Sequence, residues 1–306
     1  MRVGDREIEV SNRDKVFFPG EGITKGDLMD YYARIAGTML PHVRNRLVMM
    51  HRWPDGIEGE DWYHKDVPDY FPDWIPRVEV TKSDGTLQQL VCNEAACLVY
   101  LADQGTITPH VWLSRADDLR KPDRLIFDLD PPRAGAGSGD GGFAIVREAA
   151  RAVRDLCDEI GVTPFAMTTG SSGLHMVVPL DRSADFDEAR AFAREMAEET
   201  ARRDPDRFTT AQRKAARDGR LYLDVMRNSY AQTAVAPYAV RAKPGAPVAT
   251  PLRLDEIDDS RLSSQRYSVR NIFRRLGQAE DPWRDIDRHA VSVASARERL
   301  RARAGG

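Results

Sequence analysis

A period of two runs through Leu125-Ile126-Phe127-Asp128-Leu129-Asp130-Pro131, which predicts a short, half-buried strand. Leu125, Phe127 and Leu129 fall on one face, and Ile126, Asp128 and Asp130 on the other. The period then changes to that of a helix. Phe143, Val146, Ala150, Val153, Cys157 and Ile160 form one stripe, and Gly161 supplies the stop. Pro164 to Thr169 reads as a strand, Gly170-Ser171-Ser172-Gly173 as a turn, and Leu174 to Pro179 as the returning strand. Asp185 and Glu188 form a capping box that opens a helix running to about Arg203. A short helix is predicted from Thr209 to Gly219, followed by the strand Leu221 to Val225.

In order, residues 125–225 spell strand, helix, strand, strand, helix, strand. This is the split βαβ, or ferredoxin-like, arrangement. Its first strand lies between the third and the fourth, with both helices on one face. Leu174, Met176 and Val178 then face the helices, as do Leu221, Leu223 and Val225. Asp128, Asp130, His175 and Asp224 converge on the opposite, open face.

The first 110 residues read as a mixed α+β lobe. Thr24 caps a helix with buried positions Leu28, Tyr32, Ile35 and Met39, ending at Pro41. Asn93 is expected to cap a second helix, Glu94 to Gln104, and Lys82 to Thr86 reads as a hairpin turn. After Lys243 the chain is loop-rich until a helix at about Val269 to Leu276. The expected division is one domain over 1–292, with an N-terminal lobe (1–115), an RRM-like catalytic core (116–245) and a packing segment (246–292). Residues 293–306 are charged and expected to fray. Arg133 to Gly142 is glycine-rich and expected to be a flexible loop.

Composition narrows the class. The chain has 306 residues, 42% hydrophobic and 30% charged, enough for a substantial core. No apolar run approaches a membrane span, and Met1-Arg2-Val3-Gly4-Asp5-Arg6 is no signal peptide. Cys92, Cys97 and Cys157 have no partner at metal-site spacing and read as reduced packing residues of a cytoplasmic protein. A net charge of −3 excludes a uniformly basic coat but not a local basic groove.

Two carboxylates about 4 Å apart on one strand face repel by about 4 kcal/mol at an effective dielectric of about 20. A shared proton or a divalent cation relieves that. Three aspartates make an oxygen-rich site suited to Mg²⁺ or Mn²⁺ rather than zinc. Two such cations held by shared carboxylates are the recurring device of nucleotidyl transfer. Phosphate-binding groups belong on the same face. Thr168, Thr169, the amides of Gly170 to Gly173, His175, Arg227, Arg241 and Lys243 are the candidates.

Three segments carry a family resemblance: Phe127-Asp128-Leu129-Asp130-Pro131, Thr168 to His175, and Leu223-Asp224-Val225-Met226-Arg227-Asn228. They resemble the three motifs of the archaeo-eukaryotic primase superfamily. More narrowly, the chain resembles the polymerase domain of bacterial ligase D and stand-alone primase-polymerases. Further matches span nearly the whole chain, among them Asp14 to Pro19, Thr24-Lys25-Gly26, Arg52 to Ile57, Thr108-Pro109-His110, Ala234 to Tyr238, Arg241 to Gly245 and Asp281-Pro282-Trp283.

The resemblance implies an α+β fold with a ferredoxin-like core fused to an N-terminal lobe, as in archaeo-eukaryotic primases. It implies template-directed nucleotidyl transfer at short gaps or broken ends, with a preference for ribonucleotides and two Mn²⁺ or Mg²⁺ ions per site. Asp128, Asp130 and Asp224 would be catalytic and carry the metals. His110, Thr169, Ser172, His175, Arg227, Arg241 and Lys243 would meet the nucleotide. Lys15 and Lys25, at the helix start, would bind the 5′-phosphate beyond a gap, while His51, Arg52, Trp62 and Tyr63 would contact DNA. Implied partners are gapped or broken DNA carrying a 5′-phosphate, NTP or dNTP, a separate DNA ligase and Ku. The expected form is a monomer in the bacterial cytoplasm, associated with the nucleoid, without a membrane partner. The family's Thr-Ser-Gly is Thr168-Thr169-Gly170 here, and Ser172 stands where a lysine is frequent.

Two other readings start from the same residues. A haloacid dehalogenase-type phosphatase also carries a strand ending Asp-x-Asp. It wants Thr or Val where Pro132 stands, and a parallel sheet. A non-catalytic DNA-end-binding module would have little use for three convergent carboxylates.

Overall fold

The structure, a computed structural model, describes residues 1–82, 85–132 and 141–304. It falls into two compact units that interleave along the chain. One comprises Met1–Asp117, Thr233–Ala249 and Tyr267–Gln278; the other comprises Asp118–Gln232, Thr250–Arg266 and Ala279–Gly306.

The first unit is built on an antiparallel sheet ordered Thr233–Val235, Thr106–Trp112, Leu47–Arg52, Gly85–Val91 and Arg77–Lys82, with Trp62–His64 paired beside Leu47–Arg52. The helices Lys25–Val43 and Ala95–Asp103 pack against each other. Leu28, Tyr32, Ile35 and Met39 are buried as expected, and the Tyr32 hydroxyl donates to the Ile107 carbonyl at 2.7 Å. Thr24 and Asp27 form a reciprocal capping box.

Three local expectations are corrected in this unit. The first helix continues through Pro41 to Val43, because Leu40 and Val43 are still buried in its last turn. Asn93 does not cap the second helix: its Oδ1 accepts the Asn45 N–H at 2.8 Å, and Glu94 takes the N-cap position without a side-chain bond. Residues 233–245 do not join the catalytic core, since Thr233–Val235 is buried and pairs with Thr106–Trp112, Val235 opposite His110. Lys82 pairs with Gly85 across the predicted hairpin; its tip, Ser83-Asp84, lies outside the described residues.

The second unit carries the predicted split βαβ sheet, with Leu221–Asp224, Arg124–Leu129, Leu174–Pro179 and Phe165–Thr168 in that order. All three of these pairings are antiparallel, which rules out the parallel sheet of a phosphatase of the dehalogenase type. Thr250–Leu252 extends one edge, and Phe208–Thr209 pairs in parallel at the other. Helices Gly141–Glu159 and Phe186–Arg203 cover the sheet, and the Asp185–Glu188 capping box is formed. Val146, Ala150, Val153 and Cys157 are fully buried beneath the first helix.

The short helix expected over 209–219 is absent. The run offers only Ala211, Ala215 and Ala216 as apolar residues, too few for a stripe, and closes a single 3-10 turn at Lys214–Ala216. The tail expected to fray is instead the helix Val293–Ala304. Val293, Ala296 and Leu300 form a buried i, i+3, i+7 stripe, and Arg297 Nε donates to Glu195 Oε2 at 2.8 Å. The glycine-rich segment 133–140 lies outside the described residues.

Candidate active site

Register brings the acids together. Asp128 is the direct partner of His175 on one neighbouring strand and of Asp224 on the other. Directly opposed residues of antiparallel strands share a face. Asp130 follows two residues on, where the strand leaves the sheet, and is exposed. A cleft of about 370 Å³ is lined by Asp128, Asp130 and Asp224 together with Lys214, Arg217 and Arg220.

Each carboxylate has its own surroundings. Asp128 is 6% exposed; its Oδ1 lies 3.3 Å from His175 Nε2 and its Oδ2 accepts from Arg227 Nε at 2.5 Å. Burial alone would push this carboxyl up, but His175 and Arg227 outweigh it and hold it well below the usual range. Asp130 Oδ1 accepts from the Ser172 hydroxyl at 2.7 Å, and Asp224 Oδ1 accepts from the Met226 N–H at 2.8 Å. Partial desolvation by the surrounding protein raises both of these acids, Asp130 despite its exposed position, and the neighbouring Asp128 charge adds to the rise. Arg227 is held charged by Asp128, Asp224 and Asp130 against the effect of burial. His175 is 1% exposed, and its Nδ1 has no hydrogen-bond partner among the described residues.

The turn after the third motif strand is pinned from inside. Asn228 is 1% exposed. Its Nδ2 donates to the Ile126 and Val225 carbonyls at 2.7 and 2.8 Å, and its Oδ1 accepts the Ile126 N–H at 2.8 Å. Asn228 thereby ties the end of the Asp224 strand to the Asp128 strand.

The Gly170–Gly173 turn is held as tightly. A Cβ on Gly173 would stand 2.2 Å from the Leu129 carbonyl oxygen and 2.6 Å from Asp130 Oδ1, so only glycine fits. The Ser264 hydroxyl donates to the Gly173 carbonyl at 2.9 Å and lies 3.2 Å from Thr169 Oγ1. Gln265 Nε2 donates to the Ser171 carbonyl at 2.8 Å. Thr169 is 5% exposed, its hydroxyl accepting the Gly173 N–H at 3.2 Å, so it serves the turn from within. Asn228, Ser264, Gln265, Lys214, Arg217 and Arg220 received no role from the sequence. Asn228 stood inside a recognised motif; Ser264 carried no signal, 91 residues from the carbonyl it serves.

The donor set suits a hard cation. It is all oxygen, and the Asp128 charge raises the carboxyls of both Asp130 and Asp224. Among the described residues no three His, Cys, Asp or Glu side chains close a cage by themselves.

The other expected residues belong to the first unit. His110 is 8% exposed on Thr106–Trp112; its ring centroid is 6.3 Å from His51 and 6.0 Å from Tyr63. Arg241 and Lys243 lie half-buried in the turn bridged by Val240 and Val248. His51 stacks on Tyr63 and packs against Trp53, with ring centroids at 3.8 and 3.6 Å, and meets Asp61 at 2.5 Å. Burial lowers its pKa against the pull of Asp61. Arg52 is engaged by the Gln104 carbonyl, His64 and Tyr70. Trp62 and Tyr63 present open aromatic faces, 43% and 58% exposed.

Lys15 pairs with Asp55 at the surface, whereas Lys25 is 5% exposed and meets Asp103 at 2.8 Å and Ser11 at 3.1 Å. The helix start expected to help hold a phosphate is already used. The Lys25 and Gly26 N–H groups donate to the Lys15 and Arg13 carbonyls, both at 2.8 Å, and Asp27 N–H donates to Thr24.

The model of the LigD primase-polymerase domain family matches residues 24–283. The chain belongs to that family. Membership makes it a DNA-directed nucleotidyltransferase domain of the archaeo-eukaryotic primase type. The multifunctional non-homologous end joining protein LigD of Mycobacterium bovis is 32% identical over 295 residues, covering 94% of this chain and 38% of its own. That of Pseudomonas aeruginosa is 31% identical, covering 97% and 35%. This LigD-type domain thus spans well under half the length of these relatives. The polymerase domain of Mycobacterium tuberculosis ligase D, solved in complex with DNA, is 31% identical with a TM-score of 0.85. That likeness covers 94% of this chain and all of the other.

Proposed function

We propose that this LigD-type polymerase domain fills short gaps and extends broken DNA ends during non-homologous end joining, adding ribonucleotides in preference to deoxyribonucleotides. The observation that carries the reading is Asp128 set directly between His175 and Asp224 on adjacent strands. Asp128, Asp130 and Asp224 would hold two Mn²⁺ or Mg²⁺ ions. Such ions, when bound, activate the primer 3′-hydroxyl and neutralise the leaving pyrophosphate. The Gly170–Gly173 turn, clamped by Ser264, fixes where Asp130 stands. Lys214, Arg217 and Arg220 offset the negative charge of phosphates entering the cleft. His110, Thr169, Ser172, His175, Arg227, Arg241 and Lys243 are assigned to the nucleotide, Thr169 acting through the turn.

Trp62 and Tyr63 stack on bases, a grip that tolerates any sequence. His51 and Arg52 hold these aromatics in place. Lys15 binds the downstream 5′-phosphate, with the Lys25 ammonium behind it. End recognition and sealing fall to partners, namely Ku and a DNA ligase activity, in the bacterial cytoplasm at the nucleoid. No helix of the described residues is long and apolar enough to cross a membrane.

The deciding experiment is pyrophosphate release and primer extension on gapped, overhanging and unprimed DNA. Each substrate is tested with and without a 5′-phosphate, with NTP or dNTP, and in Mn²⁺ or Mg²⁺. Extension on gapped, 5′-phosphorylated DNA is the expected result. Absence of pyrophosphate release on every substrate rejects the reading in favour of end binding alone.

A further inference from the structure

The Arg227 guanidinium sits on the most buried acid of the cluster. Its Nε lies 2.5 Å from Asp128 Oδ2, and the Asp128 side chain is only 7% accessible. Water competes little for that oxygen, so the pair is much stronger than one at the surface. His175 Nε2 stands beside the other oxygen at 3.3 Å. Both oxygens of the most buried acid therefore have protein neighbours. Asp130 and Asp224, in turn, each lend one oxygen to Ser172 and to the Met226 N–H. Arg227 differs from Asp128 in one respect: 38% of its side chain is accessible, so its guanidinium can leave the pair without being stranded in the core.

We propose that Arg227 is the counter-ion of the carboxylate cluster in the nucleotide-free protein, and that it leaves Asp128 for the triphosphate when cation and nucleotide bind together. The inference rests on the assignment of Asp128, Asp130 and Asp224 as cation ligands. A cation arriving alone has to displace a charge-assisted hydrogen bond and leaves the guanidinium without its anion. A cation arriving with a triphosphate brings a second anion to which the planar guanidinium can donate two parallel hydrogen bonds. Cation and nucleotide then raise each other's affinity by the same factor.

The test is Mn²⁺ binding followed by electron paramagnetic resonance, at matched free Mn²⁺, with and without a non-hydrolysable nucleoside triphosphate. It compares wild type, Arg227→Met, Arg227→Lys and Asp128→Asn. Wild type should bind Mn²⁺ weakly alone and about tenfold or more tightly with nucleotide. Arg227→Met should bind Mn²⁺ alone about tenfold more tightly than wild type and lose most of the nucleotide-dependent gain. Arg227→Lys, which keeps the charge but not the planar fork, should bind Mn²⁺ alone near the wild-type level and keep only part of the nucleotide-dependent gain. If Asp128→Asn loses Mn²⁺ while Arg227→Met binds it no more tightly than wild type, the counter-ion role is overturned and the cation site stands. Unchanged Mn²⁺ binding by Asp128→Asn overturns the cation assignment and the coupling with it.

Discussion

Asp128 and Asp224 are direct cross-strand partners on adjacent antiparallel strands. Like charges opposed in this way destabilise a sheet, so the pair needs opposite charge to persist. Arg227 supplies it in the free protein.

Loss of either acid from the Asp128 strand should stop the reaction without loosening the DNA. Asp128→Ala and Asp130→Ala are each expected to lower nucleotide addition by about a hundredfold or more, the scale on which a charge-stabilising group is missed. Affinity for gapped DNA, measured by anisotropy, should change little. Synthesis near the wild-type rate in either variant would remove that residue from the reaction.

The two supports of the site should show as losses of stability. Gly173→Ala drives a methyl into the Leu129 carbonyl and is expected to cost about 3 kcal/mol or more, at the upper end of overpacking. Asn228→Ala strips partners from buried backbone groups of Ile126 and Val225, at a cost of about 2–4 kcal/mol. Urea midpoints read both directly, and a midpoint unchanged in Asn228→Ala would refute the pinning of the turn.

Lys15 and Lys25 should separate cleanly. Lys25 and Asp103 are 6% and 5% accessible, and removing one partner of a buried pair costs about 3–5 kcal/mol. Lys25→Ala should therefore unfold at markedly lower urea. Lys15→Ala should hold its stability within about 0.5 kcal/mol, as exposed substitutions do. Its effect should be on binding, where it loses the preference for a 5′-phosphorylated end over a salt series.

Acid should act on the site in two opposite ways, best read in cation-free protein. The folded Asp128 carboxyl is depressed, so its stabilisation is present at neutral pH and is lost as pH falls through that depressed value. Asp130 and Asp224 are raised, so the fold favours their protonated forms. Their contribution grows as pH falls from neutral and is lost as pH rises through their folded values. Melting curves in EDTA should thus show Asp130→Asn gaining on wild type at neutral pH, with the gain vanishing toward pH of about 4, the ordinary aspartate range. A gain independent of pH would contradict the raised carboxyl.

How much of this was legible in the sequence varies along the chain. The period-two runs at 125–131, 174–179 and 221–225 and the helical stripe at 143–160 determined the split βαβ sheet and the face of each acid, because side-chain parity in a strand is a local property. Local signals misled where their weight was decided elsewhere. Thr209 and Gln212 look like a helix start, yet no apolar stripe follows to hold a helix, and Thr209 pairs in a sheet instead. The charged tail looks free, yet Val293, Ala296 and Leu300 find a surface to cover.

The sequence by itself determined which residue types gather on the sheet and which family the chain resembles. Tertiary structure alone decided their states. That Arg227 sits on Asp128, that Lys25 is buried on Asp103, and that Ser264 clamps Gly173 depend on contacts between residues 78 to 99 apart in the chain. No local period encodes such contacts. Charge state follows from burial and from the nearest opposite charge, and both exist only once the chain has closed on itself.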